Sequence, residues 1–220
     1  MTFKRWKNLG EIIPEEIEFF TGSFGKKESI LLEMEIFAKE NKIPILLPSA
    51  AIVLRLLVSL TKPKRVLEIG TGIGYSTLNI YFAHPEAKIT TVDLNRKRIV
   101  VAKEFFKKAR VYIEVLEVDG FEVIRDYLAE NEKFDFIFID SVKSEYPFFN
   151  FKFQALLKSK GMAVFDNVLF RGYIAGKTFH PRYTRTVSLL KKFLLDVREY
   201  PGFETYLVPV GDGLLISVKK

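Results

Sequence analysis

The chain has 220 residues, of which 48% are hydrophobic and 14% aromatic, so it can bury one continuous core and is not globally disordered. It has no Cys and only two His, which excludes disulfide bonds and zinc sites built on Cys or His, so any metal ion needs oxygen ligands, as Mg²⁺, Mn²⁺ and Ca²⁺ do. The net charge of +7 favours solubility and, more weakly, polyanionic partners.

The first part of the chain is predicted to be helical, and the rest to alternate between strands and helices. The predicted helices cover residues 14–20, 28–41, 49–60, 75–82, 96–107, 121–130, 146–157 and 182–197, with Ser49 as the cap of the third. The predicted strands cover residues 65–69, 88–92, 111–117, 134–139, 161–165, 204–208 and 213–218. No apolar run is long enough to span a membrane, and no signal peptide is recognised, so we expect a cytoplasmic protein without a membrane partner.

Alternation of nearly continuous apolar strands with helices indicates an α/β fold. We expect a mostly parallel sheet covered by helices on both faces, ending in an antiparallel pair of strands. There is no internal repeat and no linker, which favours one domain over residues 1–220. Residues 1–60 form its helical lead-in and residues 64–220 its core.

The strongest local motif is VLEIGTGIGYSTL, a strand that runs into a glycine-rich turn and a helix. Gly70 and Gly72 allow a tight turn and the close approach of a ligand, and free N–H groups near Tyr75 and Ser76 can bind a carboxylate. Three interpretations compete: a dinucleotide loop, a purely structural turn, and a loop for S-adenosylmethionine (SAM). The third places Glu68 near the amino-acid end of SAM, and the dinucleotide fingerprint fails because the glycine spacing is G-x-G-x-G.

Two further carboxylates follow strands on the same side of the predicted sheet. Asp93 ends the second strand and can accept hydrogen bonds from two ribose hydroxyls, as in NAD enzymes. Asp119 and Gly120 follow the third strand, where methyltransferases bind adenine. Asp119 can equally be a simple helix cap.

The fourth and fifth strands end in FIFIDSVKSEY and VFDNVLF. Neighbouring parallel strands place Asp140 beside Asp166 and Asn167, and two carboxylates with one amide supply half of an octahedral Mg²⁺ shell. The alternative is that each Asp caps the next element. Lys143 can accept a proton from a hydroxyl on the metal, once the nearby cation disfavours its own charge. Its alternative is a solvated surface lysine.

These motifs resemble those of the metal-dependent, catechol-type O-methyltransferases, which include the caffeoyl-CoA enzymes and many small bacterial members. The resemblance extends from about Met34 to Lys220 and is carried by VLEIGTGIGYSTL, FIDSVKSEY, VFDNVLFRG and PVGDGLLISVK. It implies a Rossmann-like fold, a seven-stranded sheet with one antiparallel strand, SAM as the methyl donor, and a homodimer.

The resemblance also implies roles for individual residues. It implies that SAM is bound by Gly70, Tyr75, Ser76, Asp93, Asp119 and Asp140, with the backbone of Leu46 approaching it from the lead-in segment. It implies Asp140, Asp166 and Asn167 as ligands of Mg²⁺, Mn²⁺ or Ca²⁺, and Lys143 as the base. We add Glu68, Gly72, Leu94 and Gly120 to the predicted cofactor-binding residues.

Within the bacterial subgroup, the sequence resembles the tRNA 5-hydroxyuridine methyltransferases, whose target hydroxyl lies next to a carbonyl oxygen. Residues 171–192 contain no acidic side chain and carry Arg171, Lys177, Arg182, Arg185, Lys191 and Lys192, which can bind phosphates. Phe170, Tyr173, Phe179 and Tyr183 can stack on either kind of ring. A small catechol-like or acyl-conjugated phenol is the alternative substrate, and a nucleotide- or RNA-binding protein without catalysis is a third possibility.

Overall fold

The computed structural model describes residues 12–149, 152–176 and 178–220. Among these residues the α-helices are α1 Glu15–Ser23, α2 Ser29–Glu40, α3 Pro48–Thr61, α4 Tyr75–Ala83, α5 Arg96–Lys108, α6 Gly120–Ala129, α7 Tyr146–Phe149, α8 Lys152–Leu156 and α9 Thr184–Arg198. The strands are β1 Arg65–Ile69, β2 Lys88–Asp93, β3 Glu114–Glu117, β4 Phe134–Ile139, β5 Leu157–Phe165, β6 Phe203–Val208 and β7 Leu214–Lys219. Predictions about residues 1–11 and Lys177, and the part of the predicted helix 146–157 at residues 150–151, lie outside the described part of the chain.

One sheet of seven strands in the order β3-β2-β1-β4-β5-β7-β6 organises the described residues. The first five strands of this order pair in parallel. Strand β7 is antiparallel to both of its neighbours, β5 and β6. The predicted sheet, mostly parallel with one antiparallel strand, is therefore confirmed.

Helices cover both faces of the sheet, because successive side chains of a buried strand point to opposite faces. Val66, Phe136 and Val164 pack with buried side chains of α2, α3, α4 and α5 on one face. Leu67 and Ile137 pack with those of α6, α7, α8 and α9 on the other. Within the described ranges, no helix is long and apolar enough to cross a membrane.

Two predicted boundaries were wrong for reasons that the sheet explains. Strand β3 begins at Glu114 rather than at residue 111, because it lies at the edge of the sheet and its register with β2 starts only at Thr90. Strand β5 begins at Leu157, where the sequence predicted the last residue of a helix. Helical periodicity alone does not show where pairing with a neighbouring strand begins.

The predicted capping role of Ser49 was also wrong. Pro48 occupies the first turn of α3, where the missing N–H costs nothing, and Ser49 lies inside the helix. The side chain of Ser49 donates instead to the carboxylate of Glu18, at 2.6 Å. Helices α1 and α3 approach so closely that a Cβ on Gly22 would lie 2.2 Å from the Cβ of Pro48.

Candidate active site

A cleft of about 450 Å³ opens at the carboxyl ends of β1, β2, β4 and β5, the edge where parallel α/β sheets bind ligands. Twelve of the predicted site residues line it: Leu46, Gly70, Gly72, Tyr75, Ser76, Asp93, Leu94, Asp119, Gly120, Asp140, Lys143 and Asn167. The other two, Glu68 and Asp166, are buried beside it and are not part of its lining.

The glycine-rich turn is fixed by close packing. Gly70 has a φ of +106°, and a Cβ there would lie 2.2 Å from the carbonyl oxygen of Asp140. Gly74 has a φ of +86°, and its Cβ would lie 2.5 Å from the ring of Phe106. Gly72, with a φ of +55°, has nothing within 4 Å of its Cβ position, which leaves room for a ligand at the cleft. These three positions therefore need glycine for different reasons.

Asp93 holds the turn from the end of β2. Its Oδ2 accepts a hydrogen bond from the backbone N of Gly72, and its Oδ1 accepts one from the backbone N of Asn95, both at 2.8 Å. Leu94 beside it is largely exposed. The carboxylate of Asp93 thus faces the cleft from a fixed position, with lone pairs left over for a ligand.

Glu68 lies in the interior behind the turn. Its Oε2 accepts hydrogen bonds from the hydroxyls of Thr77 and Thr91, and its Oε1 has no hydrogen-bond partner. Complete burial raises the pKa of Glu68 to about 7, against the lowering effect of the neighbouring hydroxyls. Glu68, which was predicted to bind the cofactor, does not line the cleft but is buried behind it.

The start of α4 is tied to the helical lead-in. The hydroxyl of Tyr75 donates to Oε1 of Glu35 in α2, and Nζ of Lys27 donates to the same oxygen at 2.7 Å. Burial, followed by the charge of Glu35, raises the pKa of Tyr75. Tyr75 therefore stays a neutral donor, and α2 is anchored to the first turn of the helix that lines the cleft.

Asp119 and Glu145 are two acidic residues that also line the cleft. Asp119 caps α6 by accepting a hydrogen bond from the backbone N of Phe121 at 2.7 Å, so the capping interpretation was correct. Asp119 also lines the cleft, together with Glu145 and Phe149, which the sequence did not single out. Burial and then the charge of Asp119 raise the pKa of Glu145.

Asp140 and Asp166 follow strands that are paired in register. Ile139 and Phe165 are Cα partners, and the backbone N of Asp166 donates to the carbonyl oxygen of Ile139 at 3.0 Å. Asp166 is 1% exposed, and its Oδ1 has no hydrogen-bond partner. Burial and then the charge of Asp140 raise the pKa of Asp166, while the charge of Lys143 lowers it.

This donor set fits a hard divalent cation. A buried carboxylate oxygen without a partner, next to a second carboxylate, costs free energy unless a cation or a proton neutralises it. Asn167 follows directly, is 4% exposed and has a φ of +57°, a conformation that Asn tolerates better than most residues. No three His, Cys, Asp or Glu side chains of the described residues converge as a metal site, and the third predicted ligand, Asn167, supplies an amide instead.

Lys143 is held above this acidic pair. Its Nζ donates to Oδ1 of Asp140 at 2.7 Å, to the carbonyl oxygen of Ser141 at 3.0 Å and to the hydroxyl of Tyr146 at 2.8 Å. These bonds use all three donors of an ammonium group. Tyr146, fully buried, donates in turn to the carbonyl oxygen of Asp166 at 2.8 Å. The sequence did not identify Tyr146, although it stands in the quoted FIDSVKSEY motif.

The segment after Asn167 borders the cleft through Phe170 and Arg171, and we call residues 168–176 and 178–185 the lip. Part of its backbone has an unusual conformation. Phe170, Arg171 and Gly172 have φ values of +45°, +62° and +79°. The backbone N of Arg171 donates to Oδ1 of Asp212, a 3%-exposed residue that also lines the cleft. Asp212 belongs to PVGDG, part of a motif that carried the family resemblance but predicted no site residue.

Aromatic and basic side chains gather on this lip. The ring of Tyr183 lies 5.6 Å from that of Phe170 and 5.7 Å from that of Tyr173, centroid to centroid. The guanidinium carbon of Arg182 lies 4.6 Å from the centroid of Tyr183, and that of Arg171 5.9 Å from it. The lip therefore combines stacking surfaces with positive charge at the mouth of the cleft.

Comparison with known proteins decides the family. Residues 25–220 match the family model described as O-methyltransferase. The chain belongs to this family. Caffeoyl-CoA O-methyltransferase 5 of Nicotiana tabacum is 31% identical to it over 174 residues, which cover 74% of the chain and 72% of that protein. This confirms the resemblance that the motifs carried.

Solved structures agree with this family assignment. The SAH-bound methyltransferase PaMTH1 of Podospora anserina is 25% identical, with a TM-score of 0.79 and 94% of each chain covered. The O-methyltransferase of Bacillus cereus in complex with SAH is 22% identical, with a TM-score of 0.80 over 93% of this chain and 97% of that one, and shows the same fold. SAH, bound in both of these structures, is the product that SAM leaves after methyl transfer.

Proposed function

We propose that this O-methyltransferase depends on a divalent metal ion and methylates a hydroxyl that has a second oxygen on the adjacent carbon. The observation that carries the proposal is the buried, unpartnered Oδ1 of Asp166 beside Asp140. With Asn167, these residues would hold Mg²⁺ or a similar ion. When bound, the ion would lower the pKa of the acceptor hydroxyl, which is a poor nucleophile while neutral.

The residues of the chain then bind and orient the methyl donor. The open position at Gly72 leaves room for the amino-acid end of SAM, and free N–H groups at the start of α4 are suited to its carboxylate. Asp93 is suited to the ribose hydroxyls. Asp119 and Phe149 face the cleft where the adenine ring would lie.

Lys143 is the residue that accepts the proton in this proposal. Its Nζ lies 2.7 Å from Oδ1 of Asp140 and is oriented by a hydrogen bond to the hydroxyl of Tyr146. Lys143 would give its own proton to solvent, because a cation held by the three proposed ligands would favour the neutral amine. The lone pair of Nζ could then take the proton of the acceptor hydroxyl. The freed oxyanion then attacks the methyl carbon of SAM in line with the departing sulfur, which leaves SAH.

The favoured acceptor is 5-hydroxyuridine in tRNA, because its hydroxyl neighbours a carbonyl oxygen and its surroundings are rich in phosphate. Support comes from the lip, where Arg182 and Arg185 are exposed and Arg171 lines the cleft. Rings of the lip offer stacking surfaces for an extruded base. Lys192 contributes less, since it is paired with Asp196 at 2.9 Å.

An acyl-conjugated phenol is the second candidate, because the relative from Nicotiana tabacum is named for caffeoyl-CoA. A catechol also has two adjacent oxygens, and the same basic lip suits the phosphates of a coenzyme A conjugate. A binding protein without catalysis is disfavoured, because Asp140, Lys143, Asp166 and Asn167 are all present and clustered at one cleft.

The deciding experiment follows labelled methyl groups from SAM. The purified protein is incubated with tRNA bearing 5-hydroxyuridine, with caffeoyl-CoA or with free catechol, each with Mg²⁺ or with EDTA. We expect label in tRNA that disappears with EDTA and returns with added Mg²⁺. Label only in a phenol would refute the tRNA proposal, and undiminished transfer in EDTA would refute the metal ion.

Asp166→Asn provides the matched test of the metal ligands, with Asp126→Asn, an exposed aspartate of α6, as its control. We expect the first to lose activity by about 10²-fold or more and the second to keep it.

We also propose that the enzyme is a homodimer. Phe20 and Phe24 at the end of α1 are 68% and 81% exposed, and Leu60 near the end of α3 is 72% exposed. Helices α1 and α3 pack against each other, so both members of this helix pair of the lead-in carry exposed apolar side chains. Exposed apolar surface on a soluble protein commonly marks an interface.

A further inference from the structure

Glu18 of α1 is a buried carboxylate that the proposed chemistry does not use. It is 4% exposed, and its Oε1 and Oε2 accept hydrogen bonds from the backbone N and the Oγ of Ser49 at 2.8 and 2.6 Å. Both donors lie in the first turn of α3, where N–H groups lack helical partners and the helix dipole favours negative charge. Glu18 therefore caps α3 from a different helix.

Ser49 also forms a hydrogen bond to a segment near the C-terminal end of the sequence. Its Oγ accepts a hydrogen bond from the backbone N of Gly211 at 3.0 Å, in the turn before β7. Gly211 has a φ of +57°, and a Cβ there would lie 3.1 Å from the Cβ of Ala50 and 3.3 Å from that of Leu47. The turn is thus pressed against the start of α3.

Both ends of this network continue into the wall of the cleft. The segment Pro44–Leu46, just before α3, lines one side of it. Asp212, just after Gly211, lines another and holds the lip through the backbone N of Arg171. The carbonyl oxygen of Asp212 also accepts a hydrogen bond from the backbone N of Leu169 at 2.9 Å. Ser49 is where these two parts of the wall meet.

We propose that Glu18 and Ser49 are positioning residues. They fix the distance between the segment Pro44–Leu46 on one side of the cleft and the lip on the other. Neither residue is part of the cleft lining, so they act through Pro44–Leu46 and through Asp212. The inference rests on the proposed function only where it concerns the acceptor. For the methyl donor it rests on the proposed use of SAM.

The test measures binding of SAH by calorimetry, which needs neither a metal ion nor an acceptor, so its outcome is independent of the proposed acceptor chemistry. The variants are Glu18→Gln, Ser49→Ala and the double variant, with Glu33→Gln, an exposed carboxylate of α2, as control. We expect each single variant to raise the Kd of SAH about fivefold to tenfold. The double variant should lie within about twofold of the weaker single variant, because both changes break the same link.

Ser49→Thr keeps the hydroxyl and should restore most of the affinity that Ser49→Ala loses. A Kd within twofold of the wild type in all folded variants would overturn the proposal, as would single effects that multiply in the double variant. If the variants do not fold, hydrogen exchange of the wild-type protein decides. Residues 44–47 and 209–213 should gain protection together when SAH binds, and independent responses of the two segments would count against the link.

Discussion

The hydroxyl of Tyr146 accepts a hydrogen bond from Nζ of Lys143 at 2.8 Å and donates one to the carbonyl oxygen of Asp166 at 2.8 Å. One phenol group therefore joins the proposed base to the strand end that carries a proposed metal ligand. Burial, followed by the charges of Asp140 and Asp166, raises the pKa of Tyr146, so the phenol stays neutral and can do both.

Tyr146→Phe should reduce kcat by about tenfold or more and lower the free energy of unfolding by about 1–2 kcal/mol. Lys143 loses its tether, and the buried carbonyl of Asp166 loses its donor. Steady-state kinetics and urea unfolding measure the two effects, with Tyr112→Phe, which is 91% exposed, as control. Unchanged kcat in a destabilised variant would mean that Tyr146 is only structural.

Lys143→Met should reduce kcat by about 10²- to 10⁴-fold, the usual contribution of a general base. The Kd of SAH should change little, because Lys143 is itself not among the residues proposed to bind the methyl donor. Single-turnover methyl transfer and calorimetry measure these effects, with Lys103→Met, an exposed lysine of α5, as control. A fully active variant would remove Lys143 from the mechanism.

Glu68 should make stability fall as the pH rises. Its pKa is raised from the usual 4.5 to about 7 in the folded protein, so between these values the unfolded chain has lost a proton that the folded one keeps. The free energy of unfolding should therefore fall by roughly 3 kcal/mol from this group across that window. Glu68→Gln should lack this contribution, so the wild type should lose stability relative to it between pH 5 and pH 7.5 in urea titrations. If the free energy of unfolding depended on pH in the same way in both proteins, Glu68 would not be the source of the loss of stability.

Removing charge from the lip should weaken tRNA binding selectively. We expect the Arg182→Ala and Arg185→Ala double variant to raise the KM for tRNA and to reduce the slope of log Kd against log salt by about one unit for each phosphate that is no longer neutralised. The KM for free catechol should stay the same. Lys103→Ala serves as control, and equal effects on tRNA and catechol would argue for a general defect of the lip.

Phe24→Glu should shift the protein from dimer to monomer, because it places a charge among the exposed apolar side chains at the end of α1. Light scattering after size-exclusion chromatography gives the mass directly. Tyr112→Glu, an equally exposed aromatic position, controls for the added charge. A variant that remains dimeric would place the interface elsewhere.

The sequence predicted those parts of the site that depend on strand ends. The strands that end at or shortly before Asp93, Asp140 and Asn167 are rich in buried apolar and β-branched residues, so these three residues could be placed at one edge from the pattern alone. Asp166 was predicted by the same argument, although it is buried beside the cleft rather than exposed in it. Glu68 differs in that its strand position points it into the interior.

Contacts between distant segments could not be predicted in the same way. Ser49 looked like a helix cap because serine favours that position, but its actual partners, Glu18 and Gly211, are fixed only by tertiary packing. Asp212 and Tyr146 were missed for a similar reason. Their motifs were visible, but a residue that acts by holding another one has no local pattern of its own.

The place of β7 in the sheet has a consequence for biosynthesis. Among the described strands, β6 pairs with β7 alone, and β7 lies between β6 and β5 although it is made after both. A chain still emerging from the ribosome therefore cannot add its final two strands, or bring Asp212 to the lip, until β7 has been translated. Until then the side of β5 that β7 will cover stays unpaired, and an unpaired strand edge can pair with another chain and lead to aggregation.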